Sequence, residues 1–180
     1  MMKLRLSIPI LLFLIGILSA CTQNNKDADV EADIAEIRQV MDRYLMALNT
    51  DDLELFMTCW ADDAKRMEPE SHVIVGKDKI EARFKIFFDN LNMDIALYGD
   101  FEVGVADDLG YSLGNFILSS SPKEGGPTSF LDMKASDIFK RQTDDSWKIY
   151  IDHFSPNPVW SNDSISDEML EKQDLSDPTL

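Results

Sequence analysis

Residues 129–154 read SFLDMKASDIFKRQTDDSWKIYIDHF, and this stretch decides the fold. Apolar and polar residues alternate along 129–141 and again along 147–154, as they do in strands whose two faces differ. The intervening Thr143-Asp144-Asp145 contains residue types that favour turns. The pattern therefore predicts two long antiparallel strands joined by a short connection.

Two further strands precede this pair. Alternation of apolar and polar residues runs from Met93 to Val105 and resumes from Tyr111 to Ser120, with a turn at residues 107–110. Gly114 lies inside the second of these segments, where a residue without a side chain predicts a bend or a bulge. Everything after Leu91 is thus expected to be sheet.

The segments before Leu91 favour helices. Apolar residues recur at spacings of three and four from Val30 to Leu48. A second, short helix is expected to have Asp51 as its N-cap and Trp60 on its apolar face. A third helix follows Gly76, after a small hairpin between residues 65–68 and 73–75. Helices followed by a run of strands indicate an α+β fold with the helices on one face of the sheet.

The N-terminus has the pattern of a targeting signal. Lys3 and Arg5 precede an apolar run, Ile8 to Leu18, that is too short for a permanent membrane span of about 20 residues. Leu18-Ser19-Ala20-Cys21 resembles the bacterial lipobox, which implies cleavage before Cys21 and lipid attachment to its thiol. The alternative is an ordinary secretory signal in which Cys21 is incidental. We expect a signal peptide at 1–20, a flexible tether at 21–29, a globular domain at 30–160 and an acidic disordered tail at 161–180.

Composition limits the partners and the chemistry of the chain. Its formal net charge is −16, or −18 once Lys3 and Arg5 are removed with the signal, which disfavours nucleic acid and anionic membrane surfaces. With Cys21 committed to lipid, Cys59 has no disulfide partner, and we expect it to be buried. The two histidines, His72 and His153, lie far apart in sequence and give little support for a metal site. No cofactor is predicted.

Several separated segments have a characteristic order and spacing: Ile37 to Leu48, Asp51 to Leu53, Trp60 to Ala64, Gly76 to Ile80, Gly114 to Phe116, Ser136 to Phe139, Trp147 to Ile149 and Asp152 to Ser155. Together they resemble the SnoaL-like and DUF4440 branch of the NTF2-like superfamily. The resemblance covers residues 30–160 and implies a cone, in which a strongly curved antiparallel sheet packs against three N-terminal helices and leaves a pocket at the open end. Gly114 lies where such curvature needs a glycine. Because this fold supports isomerases, dehydratases, cyclases and pure binding modules, function has to be inferred from the pocket residues.

Strand parity and helical spacing supply candidate pocket residues. On the last strand His153 shares a face with Trp147, Ile149 and Ile151, which predicts that it faces the pocket mouth; the alternative is a structural histidine at the end of the sheet. On the preceding strand the parity is ambiguous, so either Asp132 or Asp137 is expected to face inward. The candidates to line the pocket are Tyr44, Trp60, Asn115, Asp132 and His153.

Two functional hypotheses follow. In the preferred one, a lipid-anchored cell-envelope domain binds a small apolar or aromatic ligand, or a partner protein, without chemistry. In the alternative, a ketosteroid-isomerase-like or polyketide-cyclase-like enzyme uses an aspartate or His153 as general acid or base. The resemblance also implies a homodimer through a sheet face, with Tyr150 and Phe154 as aromatic anchors. Because Thr22 follows Cys21, we expect the periplasmic face of the outer membrane if the host is Gram-negative.

Overall fold

A computed structural model describes the backbone of residues 8–158 and the side chains of residues 29–158. Within these residues the chain forms three helices and six strands. The predicted α+β fold is confirmed. The helices are α1 (Ile8–Asn49), α2 (Leu53–Thr58) and α3 (Lys77–Asn90); the strands are β1 (Trp60–Met67), β2 (Ile74–Val75), β3 (Leu91–Ala106), β4 (Leu109–Pro122), β5 (Ser129–Arg141) and β6 (Trp147–Pro156).

Helix α1 contains the predicted amphipathic segment and continues toward the N-terminus. Its backbone is helical through 21–29, where the sequence predicts a flexible tether, but no side chain before Asp29 is described. Cleavage and lipidation at Cys21 therefore stay predictions, and the predicted tail at 161–180 lies outside the described residues. Within the described part of the chain, no helix combines the length and apolar character that a membrane crossing requires.

The second helix begins and ends differently from the prediction. Asp51 adopts a left-handed backbone conformation (φ 58°), and the cap is Asp52, whose side chain accepts a hydrogen bond from the Leu55 amide at 2.8 Å. The expectation that Asp51 caps this helix is wrong by one residue, because Asp51 is used to turn the chain out of α1. Trp60 is also not helical, because β1 begins there and pairs with β6.

The six strands form one curved sheet in the order β2-β1-β6-β5-β4-β3. All neighbouring pairs are antiparallel except β1 and β6, which are parallel. The register of β3 against β4 shifts between Tyr98 and Glu102, opposite Gly114. A Cβ atom at Gly114 would lie 2.9 Å from the Phe101 side chain, so the predicted need for glycine at this bend is explained by close packing.

A second register shift interrupts the pairing of β5 with β6. Ile138 pairs with Ile151 and Phe139 pairs with Ile149, so Tyr150 is an extra residue on β6. Such a bulge reverses the alternation of side chains beyond it. Trp147 and Ile149 face the helices before the bulge, and Asp152 and Phe154 face them after it.

The helices pack against the concave inner face of the sheet. Ile37 and Val40 of α1, Phe56 of α2 and Ile80 of α3 are fully buried, and so is Trp147 on the sheet. Aromatic rings connect the helices, with the Phe56 and Phe84 centroids 4.2 Å apart. Cys59 is buried and unpaired, as predicted. This core fills only one end of the cone.

Candidate functional site

The other end of the cone contains a cavity of about 510 Å³ between the inner face of the sheet and helices α1 and α3. This volume is within the range of sites that enclose small molecules, roughly 300–1,000 Å³. Most of the wall is apolar, and the polar side chains are grouped. The lining includes Tyr44, Arg66, Glu68, Arg83, Phe84, Asp137, Asp152 and Phe154.

Asp137, and not Asp132, is the inward aspartate of β5. Leu131, Met133, Ala135 and Asp137 line the cavity, so the face that carries Asp132 is the outer one. This resolves the ambiguity of the sequence in favour of Asp137. The proposal of Asp132 as a pocket residue is wrong, because this residue has the opposite parity.

His153 also faces away from the cavity. The prediction assumed unbroken alternation along the last strand, and the bulge at Tyr150 reverses the faces beyond that residue. As a result Asp152 and Phe154 line the cavity, while His153 lies on the outer face, with its Nδ1 atom 3.5 Å from the Ser136 hydroxyl. The assignment of His153 to the pocket mouth is therefore wrong.

The carboxyl group of Asp137 lies among buried residues at the inner end of the cavity. The Ser112 hydroxyl donates a hydrogen bond to Oδ2 at 3.0 Å, and Oδ1 makes no hydrogen bond within residues 29–158. Burial raises the pKa of Asp137 well above its ordinary value, and the negative charge of Asp152 raises it further. A carboxyl group with a raised pKa, on the wall of a cavity, is suited to act as a general acid or base.

Asp152 faces Asp137 across the β5–β6 pair and is the centre of a buried polar group. The Arg66 guanidinium donates to its Oδ2 atom at 2.5 Å, and the Tyr44 hydroxyl is 3.4 Å from the same atom. Burial raises the pKa of Asp152, although Arg66 opposes this shift. Burial likewise raises the pKa of the Tyr44 hydroxyl, with a further contribution from Asp152. Tyr44 therefore stays neutral and is a hydrogen-bond donor.

Arg66 connects Asp152 and Tyr44 to the mouth of the cavity. Its guanidinium lies 4.5 Å from the Phe84 ring centre and 5.1 Å from that of Phe154, and its Nε donates to Glu68 at 2.8 Å. Burial disfavours the charge, but Asp152, Tyr44 and Glu68 outweigh that effect and raise the pKa of Arg66. Arg66 is therefore a permanent buried cation.

Glu68 is shared between two arginines. Arg83 of α3 approaches its Oε2 atom with Nη2 at 3.0 Å and Nε at 3.2 Å, while Arg66 occupies Oε1. Burial alone would raise the pKa of Glu68, but the hydrogen bonds from Arg66 and Arg83 outweigh it and the pKa is lowered. Arg83 and the neighbouring Glu70 are partly open to solvent and mark the mouth.

The other predicted residues occupy three different environments. Tyr44 lines the cavity. Trp60 is in the core, packed against Phe56, and its Nε1 atom has no hydrogen-bond partner within the described part of the chain. Asn115 lies on the outer face, within 3.4 Å of the Asn157 amide. Of the five candidates, the structure places only Tyr44 in the cavity wall.

Sequence reasoning missed Arg66, Glu68 and Asp152. Asp152 was assigned to the outer face by parity, and only the bulge brings it inward. Arg66 lies within the charged stretch Asp62 to Glu68, which gives no apolar period to read. One signal was available. An arginine that points into the fold from a strand needs buried carboxylates as partners, so an inward Arg66 would have predicted inward acidic residues close to it.

Among the residues with described side chains, no group of three or more His, Cys, Asp and Glu side chains is arranged to hold a metal ion.

Comparison with known proteins gives the fold and the family. The chain resembles an NTF2-like superfamily protein from Salmonella enterica (TM-score 0.65, 15% identity, 75% of this chain and 99% of that chain). A conserved protein from Planctomyces limnophilus is similar (0.64, 22%, 71% and 99%). So is a ketosteroid isomerase-like protein from Erwinia carotovora atroseptica (0.60, 19%, 70% and 98%). At these identities the likeness shows the NTF2-like fold alone.

Two further comparisons address the sequence itself. No curated protein matches the chain. The model of a family described as SnoaL-like domain matches residues 30–150, which is most of the globular part and agrees with the resemblance seen in the sequence. The chain belongs to the SnoaL-like domain family.

Proposed function

We propose that the cavity binds a small, mostly apolar ligand whose one polar group forms a hydrogen bond with Asp137. The observation that carries this proposal is the Oδ1 atom of Asp137, which has no partner within residues 29–158 and belongs to a carboxyl group on the cavity wall. Oδ1 is accessible from the cavity and is not one of the fully enclosed atoms without a partner. A ligand that forms a hydrogen bond with it gains roughly 0.5–1.5 kcal/mol.

The apolar part of the cavity wall favours an apolar ligand around that one polar group. Phe84, Phe87, Phe116 and Phe154 line the cavity together with aliphatic side chains. Burying apolar ligand surface against such a wall contributes about 25 cal/mol per Å². Flat or aromatic molecules gain most from this surface, because their rings pack against phenylalanine rings.

N-phenyl-1-naphthylamine, an uncharged aromatic probe with one N–H group, tests this proposal. We expect its fluorescence to rise on binding to the mature domain. Ala135→Phe places a ring in the cavity and should weaken binding at least tenfold. Lys134→Phe changes the neighbouring residue, which points to the outer face, and should leave binding unchanged. Equal effects of the two variants, or no binding by the unmodified domain, would contradict the proposal.

Acid–base catalysis is the second candidate function. It is favoured by the raised pKa of Asp137, a carboxyl group that faces the cavity near the neutral Tyr44 hydroxyl. The ketosteroid isomerase-like name of one structural relative belongs to the same class of chemistry. In this function Asp137 would accept a proton from a carbon next to a carbonyl group and return it. His153 is not a candidate, because it lies on the outer face.

Hydrogen exchange of 2-tetralone in D₂O tests the catalytic candidate. The protein should accelerate deuterium incorporation next to the carbonyl group, as seen in proton NMR spectra. Asp137→Asn should remove most of the acceleration, while Asp132→Asn on the outer face should retain it. Exchange at the uncatalysed rate would leave ligand binding as the function.

We also propose that Cys21 carries the lipid anchor of a cell-envelope protein, on the strength of the lipobox-like Leu18-Ser19-Ala20-Cys21. Several acyl chains hold a protein firmly at a membrane where one does not. The absence of Asp after Cys21 favours the outer membrane of a Gram-negative host. Cys21→Ala should abolish labelling with a radioactive fatty acid; a variant that is still labelled and still sediments with membranes would disprove the anchor.

We further propose a homodimer through the outer face of the sheet. Of the two aromatic anchors named from the sequence, Phe154 is wrong because it lines the cavity, whereas Tyr150 is half-buried with its ring between Lys65 and Lys140. The outer face instead exposes apolar side chains that a second copy would cover, namely Tyr98, Tyr111, Leu113, Ile117 and Phe130. Light scattering of the delipidated domain should give a dimer mass at tens of micromolar, and Leu113→Lys should give a monomer. A monomer mass for the unmodified domain would exclude this assembly.

A further inference from the structure

The cationic groups of the cavity wall are already paired with carboxylates. Among the residues with described side chains, the lining contains two cations, Arg66 and Arg83, and no lysine or histidine. Arg66 bonds to Asp152 and Glu68, and Arg83 bonds to Glu68. Neither arginine is left without a carboxylate partner.

Acidic side chains outnumber these two cations in the wall. Asp137, Asp152, Glu68 and Glu70 all line the cavity. Asp152 and Glu68 accept hydrogen bonds from the arginines, and Glu70 is exposed at the mouth. An anionic ligand that enters the cavity therefore meets a field of carboxylates.

These carboxylates make binding less favourable for anionic ligands. A desolvated anion needs a cation or several hydrogen bonds to offset the loss of water. To bind between Arg66 and Arg83 it would have to displace Glu68, whose side chain is almost completely buried and bonded on both oxygens. An uncharged ligand loses much less hydration and does not need that displacement.

We infer that Glu68 is a specificity-determining residue: it occupies the two-arginine cradle at the cavity mouth and so selects against anionic ligands in favour of uncharged ones. This inference rests on the proposed function, because it requires that the cavity binds a ligand at all. It goes further by naming the charge class of that ligand and the residue that selects it. The Glu68 carboxylate occupies the position between the two arginines that the anionic group of a ligand would otherwise take.

Two probes with the same aromatic skeleton test the inference on the unmodified domain. N-phenyl-1-naphthylamine is uncharged, and 8-anilinonaphthalene-1-sulfonate adds one sulfonate. We expect the uncharged probe to bind at least tenfold more tightly, a difference of about 1.4 kcal/mol. Equal affinity, or tighter binding of the sulfonate, would overturn the inference. This comparison needs no variant, so it is decisive even if a substitution impairs folding.

A matched pair of substitutions then assigns the selectivity to Glu68. Glu68→Gln keeps the shape of the side chain and removes the negative charge that the two arginines share, so it should raise the affinity for the sulfonate about tenfold. The affinity for the uncharged probe should change less than about twofold. Glu70→Gln removes the same charge from an exposed neighbour that has no ion pair among the described side chains, and should alter the ratio far less. Equal effects of the two substitutions would overturn the role of Glu68.

Failure of the inference and failure of the proposed function give different results. If the uncharged probe does not bind, or if Ala135→Phe does not weaken its binding, the cavity is not the ligand site and both proposals fall. If the uncharged probe binds in the cavity but the sulfonate binds as tightly, only the inference falls.

Discussion

Asp132 and Asp137 lie five residues apart on the same strand, and their pKa values are shifted in opposite directions. Asp132 is exposed on the outer face, where Tyr98 and Asn157 donate hydrogen bonds to its Oδ1 atom at 2.6 and 2.8 Å, and these bonds lower its pKa. Asp137 is buried on the inner face, where burial and the charge of Asp152 raise its pKa. The same type of side chain is thus part of a surface hydrogen-bond network on one face and of the cavity wall on the other.

The comparison extends from this pair to the two faces of the whole sheet. On the outer face, charged groups are hydrated or weakly paired, and a change of charge there costs little. On the inner face, Arg66, Asp152 and Glu68 are almost completely desolvated, so each depends on the others. Differences between matched substitutions on the two faces therefore measure how far the inner site is isolated from water.

The largest effect is expected for the buried ion pairs. Arg66→Gln leaves Asp152 and Glu68 without their shared cation and should lower the free energy of unfolding by about 3–5 kcal/mol. Lys140→Gln breaks an exposed pair with Asp63 and should cost about 0–1 kcal/mol. Urea denaturation at neutral pH measures both values. Similar losses for the two variants would mean that the inner group is as hydrated as the outer one.

The next effect concerns packing at two adjacent residues of β4. Phe116 is 4% exposed and faces the cavity, whereas Ile117 is 42% exposed on the outer face. Phe116→Ala should lower the free energy of unfolding by about 3 kcal/mol, near the lower end for buried aromatic residues because the cavity already borders the ring. Ile117→Ala should cost less than about 1 kcal/mol in the monomer. A large loss for Ile117→Ala that depends on protein concentration would instead indicate a dimer interface.

Most of the fold was predictable from the sequence because it rests on periodicity. The spacing in α1, the alternation in β3, β4 and β5, and the glycine at the bend were all informative, and each belongs to one continuous segment. The capping residue of α2 was missed by one position, since Asp51 and Asp52 have the same side chain and only the backbone conformation distinguishes them.

The site was less predictable because a single bulged residue, Tyr150, determines which side chains of β6 face the cavity. The bulge at Tyr150 changes the faces of Asp152, His153 and Phe154 together, and no composition signal in β6 marks it. The partner of Asp152 is Arg66, which lies 86 residues earlier and reaches it only through the parallel pairing of β1 with β6. Local alternation contains no information about such a pairing.

The smallest expected effect is a difference in pH dependence between the two aspartates. From about pH 4 up to the raised pKa of Asp137, the folded protein holds a proton that the unfolded chain has released. Stability therefore falls as the pH rises through this window and stays lower above it. Asp137→Asn should reduce this fall and leave the part due to Asp152, whose pKa burial also raises, as urea denaturation at a series of pH values would reveal.

Asp132 gives the opposite sign in the same measurement. Its lowered pKa means that the folded protein releases a proton which the unfolded chain still holds, so its contribution is present above the ordinary pKa and is lost as the pH falls. Asp132→Asn should remove that acid-side loss and leave the fall due to Asp137 in place. The same sign for both variants would contradict the division between the two faces.

Carboxyl carbon-13 NMR of the two aspartates tests the central claim most directly, which is that Asp137 is the polar contact of a ligand cavity. The titration midpoint of Asp137 should lie well above that of Asp132. Adding N-phenyl-1-naphthylamine should shift the Asp137 resonance and its midpoint and leave those of Asp132 unchanged. An Asp137 midpoint at or below the ordinary value for aspartate, with no response to the probe, would contradict the account.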